Sequence, residues 1–274
     1  MKTIRLLTIA GSDSGGGAGI QADLKTFSAL GGYGMTVITA LTAQNTMGVQ
    51  GVYPVPPEFV EQQLDSVLSD LGADAVKIGM LANAKIIAAV ANRLREHHVD
   101  QIVLDPVMVA TSGDRLLQAN AVDALRTELL PMATILTPNM PEAEDLLNTK
   151  LDSADALQHA AISLLQQGPE AVLIKGGHGT GENCDDILAY HKDNGPTFEW
   201  IHTPRVETQN THGTGCTLSS AIAAYLGQGR SIPEAVQAAK QYITNTIQAG
   251  ALRQLGKGHG PVDHFYAWTN NTPA

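Results

Sequence analysis

The sequence predicts an open, mainly parallel α/β sheet with helices on both faces. Short apolar runs alternate with longer amphipathic ones along most of the chain, as doubly buried strands and crossover helices require. Glycines and polar residues gather where the apolar runs end, which is where sheets of this kind bind ligands. With 43% hydrophobic and 16% charged residues in 274 positions, the chain has enough apolar material for a full core and is not expected to be disordered.

In chain order, residues 4–10, 35–41, 74–80, 101–107, 133–138 and 171–177 are expected as buried strands, each a short apolar run bounded by turn formers. The first is too short for a signal or membrane segment. Helical periodicity falls between them at residues 21–30, 57–71, 83–98, 118–130, 141–147 and 154–167. Residues 186–190 and 198–202 form an expected antiparallel pair at a sheet edge, around a turn at 192–196. Helices at 214–227 and 232–248 follow, the second opened by Ser231 and Pro233 as cap and first-turn residues. The glycine-rich segment 256–265 is expected as a surface loop. No linker or repeat divides the chain, so residues 1–274 are expected as one domain.

A net charge of −10 argues against a nucleic-acid or anionic-membrane surface. It leaves room for a local phosphate site, which helix starts and single lysines can provide. Two cysteines, Cys184 and Cys216, are too few for a disulfide framework and lack metal-ligand spacing, which suits a cytosolic thiol protein.

Four strand ends carry candidate chemistry. The segment Thr211-His212-Gly213-Thr214-Gly215-Cys216 runs directly into an amphipathic helix, where exposed N–H groups and the helix dipole make an anion site. Cys216 in the first turn is expected to have a lowered pKa, as a base or as part of the anion hole. Asp105 ends an apolar strand. Asn139 and Glu142, three residues apart, are either an N-cap pair or a shell for phosphate and magnesium. Lys175 ends another strand within reach of a nucleotide phosphate.

The first strand leads into Gly11-Ser12-Asp13-Ser14-Gly15-Gly16-Gly17-Ala18-Gly19, which matches neither the Walker nor the Gly-x-Gly-x-x-Gly pattern but implies close approach of backbone to a ligand. Asp23, just inside the next helix, is expected to face the same crevice. Gln44 offers a donor and an acceptor to a heterocycle edge. Cys216 with His212 as an acyl-transfer pair lacks an evident third orienting residue and leaves Asp105 and Lys175 unexplained. The glycine-bearing loops 110–115 and 179–185 are expected to move as ligands enter.

Together, the segments AGSDSGGGAGIQADLKT, GGYGMTVITALTAQNTMGVQGV, VKIGML, VLDPVMVATSG, LTPNMPEAE, VLIKGGH and THGTGCTLSSAIAA resemble the ribokinase-like superfamily, in its hydroxymethylpyrimidine/phosphomethylpyrimidine kinase branch. The resemblance implies a three-layer α/β/α sandwich with a central, mainly parallel sheet. It implies ATP- and magnesium-dependent phosphorylation of 4-amino-5-hydroxymethyl-2-methylpyrimidine, then of its monophosphate, for thiamine diphosphate synthesis. It further implies that Gln44 reads the pyrimidine edge while Gly11, Asp23, Met80 and Val107 surround it. Gly213, Thr214, Gly215 and Cys216 would form the anion hole, Lys175 would contact ATP phosphates, and Asp105, Asn139 and Glu142 would organise magnesium. Lys240 would reach the nucleotide side. A cytoplasmic homodimer is implied, with no nucleic-acid or membrane partner. Pyridoxal kinase, which shares the fold and the GTGC region, is the alternative activity.

Overall fold

In the computed structural model, which describes residues 3–108, 117, 121–177, 182–192 and 195–269, the first apolar run becomes β1 (Arg5–Asp13), buried on both faces. The chain continues through α1 (Gly19–Ala29), β2 (Tyr33–Asn45), β3 (Gly48–Pro54), α2 (Pro57–Asp70), β4 (Ala75–Ile78), α3 (Ala84–Glu96) and β5 (Ile102–Leu104). Then come α4 (Ala121–Ala124), β6 (Ile135–Leu136), α5 (Met140–Leu147), α6 (Ala154–Leu165), β7 (Ala171–Ile174), β8 (Asp186–Lys192) and β9 (Gly195–Ile201). Helices α7 (Thr214–Gly227), α8 (Ile232–Ala251) and the short α9 (Tyr266–Thr269) complete it.

Among the described residues the strands form one sheet in the order β3-β2-β1-β4-β5-β6-β7-β8-β9. Strands β2, β1, β4, β5, β6 and β7 run parallel, while β3 at one edge and β8–β9 at the other are antiparallel. Successive strand residues point to opposite faces, and this alternation makes the layers. Leu7, Ile9, Val76, Ile78, Leu104 and Val172 pack on one face with residues of α2, α3, α5 and α6. Leu6, Ala75, Val103, Ile135 and Leu173 face the other way, against Phe27 of α1 and the apolar sides of α7 and α8. Helix α2 shows the packing logic: Val60, Leu64 and Leu68 recur every four residues and are its buried positions, each contributing about 1.5–3 kcal/mol by leaving water. This is the expected three-layer sandwich.

The structure corrects three details. Strand β3 was not expected, because its segment has an almost wholly exposed burial pattern and so lacks apolar alternation; its pairing with an extended β2 is what makes it a strand. The helix expected at residues 118–130 is, in its described part, α4 followed by a π turn (Leu125–Leu129) and a 3-10 turn (Leu130–Met132), with Pro131 entering the tighter turn. The segment 256–265 is not a free surface loop. His212 N–H donates to the Gly260 carbonyl at 3.1 Å, Tyr242 Oη donates to the His264 carbonyl at 2.7 Å, and Val262, Asp263 and His264 are buried. The loop expected to move at 110–115 lies outside the described residues, as do 179–181 of the second such loop. No described helix is long and apolar enough to cross a membrane.

Candidate active site

The order in which strands are added reverses at β1, whose neighbours are β2 on one side and β4 on the other, all three parallel, and a crevice opens beyond the strand ends there, as the topology of parallel sheets predicts. It encloses about 680 Å³. One wall is the start of α7. Its N-cap, Gly213, sits at φ 80°, a left-handed conformation that favours glycine. A Cβ on Gly213 would come within 1.8 Å of the Gly17 carbonyl oxygen. The two glycine-rich segments therefore touch backbone to backbone, which leaves the first N–H groups of α7 facing the crevice without a side-chain cap.

Asp13 organises the other glycine-rich turn. Its carboxylate accepts the N–H groups of Gly15, Gly17 and Ala18 at 2.8–2.9 Å and His212 Nε2 at 2.8 Å. Burial opposes the Asp13 charge, but the His212 bond, with those from Ala18 and Gly15, outweighs it and holds the carboxyl below its ordinary pKa. His212 Nε2 also lies 3.5 Å from Gln44 Nε2, so its ring bridges the anion-binding turn and the residue expected to read the substrate. Sequence reasoning missed this pair. Its third-residue geometry serves Asp13 and the glycine turn, and the ring nitrogen is committed there instead of to the Cys216 thiol.

Lysine–aspartate pairs surround the floor. Lys175 Nζ donates to Asp105 Oδ1 at 2.8 Å, and the nearly fully buried Asp105 also accepts from Ser219 Oγ at 3.1 Å. Burial opposes the charge on Asp105, yet Lys175 and Lys77 keep its carboxyl below the ordinary value. Lys240 Nζ pairs with Asp186 Oδ2 at 2.5 Å. Lys77, fully buried in β4, donates to both oxygens of Asp23 at 2.9–3.0 Å. Asn139 and Glu142 form a reciprocal capping box at the start of α5, with bonds of 2.8 and 2.9 Å. The cap reading is borne out, and both residues also border the crevice. Burial pushes the Glu142 carboxyl up to about 7, with Lys175 offsetting part of the shift.

Gly11, Gln44, Met80 and Val107 line the crevice, and Gly213, Thr214, Gly215, Cys216, Lys175 and Lys240 line it too. A Cβ on Gly11 would sit 3.1 Å from Met80 Sδ, so glycine there makes room for the thioether. Two expectations are corrected. Asp23 has no exposed surface: Lys77, Thr8 and Ser220 saturate its oxygens, placing it behind the crevice wall and out of reach of a ligand. Cys216 is not a ready thiolate. Burial pushes its thiol up to about 11, and the nearby Lys77 charge offsets this only in part. At this helix start desolvation, which disfavours the thiolate, outweighs the dipole.

A family model described as phosphomethylpyrimidine kinase matches residues 13–263. The chain belongs to this family. It is 52% identical to the hydroxymethylpyrimidine/phosphomethylpyrimidine kinase of Salmonella typhimurium, over 98% of this chain and 100% of that one. A solved phosphomethylpyrimidine kinase from Clostridium difficile 630 shares 46% identity at a TM-score of 0.78, covering 88% of this chain and 98% of that one. Bacillus subtilis pyridoxal kinase, solved as an ADP complex, gives a TM-score of 0.88 at 36% identity, covering 98% and 100%. The fold of this kinase is thus the ribokinase-like sandwich that its sequence resembles. Asp13, Lys77 and Asp186 border the site without having been singled out from the sequence, and His212 had been weighed only as a partner of Cys216. Asp13 and His212 lay within segments already singled out, but neither has a local pattern that reveals its partner.

Proposed function

We propose that this kinase transfers the γ-phosphoryl group of ATP to the hydroxymethyl oxygen of 4-amino-5-hydroxymethyl-2-methylpyrimidine, and then a second phosphoryl group onto the monophosphate, in thiamine biosynthesis. The observation that carries the reading is that Gln44 and the uncapped start of α7 border one crevice. A residue able to pair with an amino–ring nitrogen edge and a helix start able to hold a phosphoryl group thereby serve the same ligand pair. Met80 and Val107 supply apolar walls for the ring. Backbone N–H groups around Gly213–Cys216 take up the charge on the transferring oxygens, and Lys175 and Lys240 lie on the crevice wall for the ATP phosphates.

Phosphoryl transfer through a loose transition state needs mainly positioning and charge neutralisation. A neutral Cys216 thiol fits that requirement as a shaping member of the anion hole. No cluster of three or more His, Cys, Asp or Glu suited to a metal occurs among the described residues. Asp105 and Glu142 nonetheless fit a nucleotide-borne magnesium, which takes one or two carboxylates and completes its shell with phosphates and water. When bound, the ion would neutralise phosphate charge, and these two carboxylates would hold it.

Pyridoxal kinase is the second reading, favoured by the higher TM-score of its solved representative. The identity over the whole length of the Salmonella relative weighs more, because side chains, not the path of the backbone, discriminate one methylated heterocycle from another. The same reading takes residues 1–274 as one domain that forms a cytoplasmic homodimer. ATP consumption measured with hydroxymethylpyrimidine, its phosphate and pyridoxal tests the function: turnover on both pyrimidines is expected, and turnover on pyridoxal alone would overturn it.

A further inference from the structure

We propose that the buried Lys77–Asp23 pair, acting through Ser220, is a positioning device that seats the start of α7 and thereby aligns Cys216 and the anion-binding turn. The inference rests on the kinase reading above and deepens it.

The pair is out of place as a source of stability. Lys77 points to the sheet face where Leu6, Ala75 and Val103 join the apolar sides of α1 and α7. Taking two charges out of water there is costly, and an apolar pair of similar volume is often as stable or more so. Room has also been made for the ammonium. Gly79 follows two residues later on the same face of the chain, and a Cβ on it would come within 2.8 Å of Lys77 Nζ.

What the pair does hold is a helix. Asp23 Oδ1 accepts Ser220 Oγ at 2.6 Å, and Asp23 Oδ2 accepts Thr8 Oγ1 at 2.6 Å. With both lysine bonds, every strong acceptor direction of the carboxylate is used, and the aspartate is fixed between β1, β4 and α7. Ser220 lies four residues after Cys216, directly beneath it on the same helix face. The preceding residue, Ser219, is directed at Asp105, which is itself tied to Lys175. Adjacent serines point about 100° apart around a helix, so tethers to two separate charge pairs set both the rotation of α7 and its position along the axis. Ser219 can instead give its proton to the Gly215 carbonyl at 2.9 Å, whereas Ser220 is directed at Asp23, which makes Ser220 the firmer tether. The turn that must meet the transferring phosphoryl group is one helical turn upstream. Lys77 also borders the crevice.

The test is steady-state kinetics with ATP and hydroxymethylpyrimidine, together with calorimetric pyrimidine binding and thermal melting, for Ser220→Ala, Ser220→Cys and Asp23→Asn. Because a displacement near 1 Å can cost about 100-fold in rate, Ser220→Ala is expected to lower kcat about tenfold with pyrimidine Kd within about twofold. Ser220→Cys, close in size with a weaker donor, should fall between it and wild type. Asp23→Asn should lower kcat about 30-fold or more, again with little change in Kd. Wild-type kcat in Ser220→Ala overturns the proposal, whatever happens to the melting temperature. So does an Asp23→Asn protein that keeps its kcat but binds pyrimidine much more weakly, since Asp23 would then be a ligand contact. Should Asp23→Asn not fold, the two Ser220 variants decide. If the wild type turns over pyridoxal and not the pyrimidine, the substrate reading has failed, and the same comparison on pyridoxal still decides the positioning role.

Discussion

Lys175 Nζ donates to Asp105 Oδ1 at 2.8 Å, joining the ends of β7 and β5 beneath the start of α7. Both groups are largely removed from water, so each charge depends on the other. ATP phosphates approaching Lys175 and magnesium approaching Asp105 would take over the two halves of the pair, which would couple nucleotide and metal binding.

Asp105→Asn keeps the size and a hydrogen-bonding oxygen but removes the charge. Turnover is expected to fall by about 100-fold or more, because the loss falls on charge neutralisation of the transferring group, while pyrimidine Kd changes by less than about threefold. Kinetics and calorimetry on the same preparation check this. Unchanged turnover at saturating ATP would remove Asp105 from the magnesium shell.

The Cys216 thiol, raised to about 11 by burial, should be slow to alkylate in the free protein. Its reaction with iodoacetamide is expected to rise with pH without levelling off by about pH 9, since only the thiolate attacks. If the anion hole and magnesium carry the catalysis, Cys216→Ser should lose about tenfold in kcat, not the 100-fold or more expected for loss of a general base. A plateau below pH 8 in mass-spectrometric labelling would show a ready thiolate and contradict this picture.

Gly213 and Gly229 both lie in the left-handed region, at φ 80° and 86°, but their surroundings differ. A Cβ at Gly213 meets the Gly17 carbonyl at 1.8 Å, whereas nothing lies within 4 Å at Gly229. Gly229→Ala should therefore cost about 1 kcal/mol from backbone strain alone, with activity intact. Gly213→Ala must push the two glycine segments apart and should abolish turnover. Melting temperatures and kcat for both variants give the comparison.

His264 is buried beside Thr217 Oγ1, 3.0 Å away, and burial lowers its pKa to about 4. The unfolded chain, with an ordinary imidazole near 6.5, takes up the proton first as pH falls. This contribution to stability is complete above pH 6.5 and is lost as pH falls towards 4, amounting to on the order of 3 kcal/mol. Urea midpoints should fall between pH 7 and 5, and His264→Asn should flatten that slope. An unchanged slope would show that other groups govern acid sensitivity.

The central strands, most of the helices and the glycine-rich start of α7 were legible because their signals are local. An apolar run of strand length, a Ser231–Glu234 capping box and glycines ahead of an amphipathic helix each state their structure within a few residues. Asp105, Lys175, Gln44 and Glu142 were legible for a related reason. Strand ends in a parallel sheet converge on one side, so polar residues at those ends are brought together whatever the details of packing.

The sequence by itself thus determined the parallel centre of the sheet, its layers and the crevice at its strand ends, whereas the edge strand β3 exists only through its pairing with β2. Tertiary structure alone decided which charges meet and how wet they are. Asp13 and His212 are 199 residues apart and Lys77 and Asp23 are 54 apart, so no local pattern announces either pair. Asp23 looked like a ligand contact, as an aspartate near a glycine-rich turn should, until the packing of β4 and α7 closed over it. Cys216 looked like a thiolate because a helix start favours negative charge. Enclosure by the surrounding elements favours the neutral thiol more strongly, since desolvation depends on everything packed around an atom and a residue's neighbours in sequence are a small part of that.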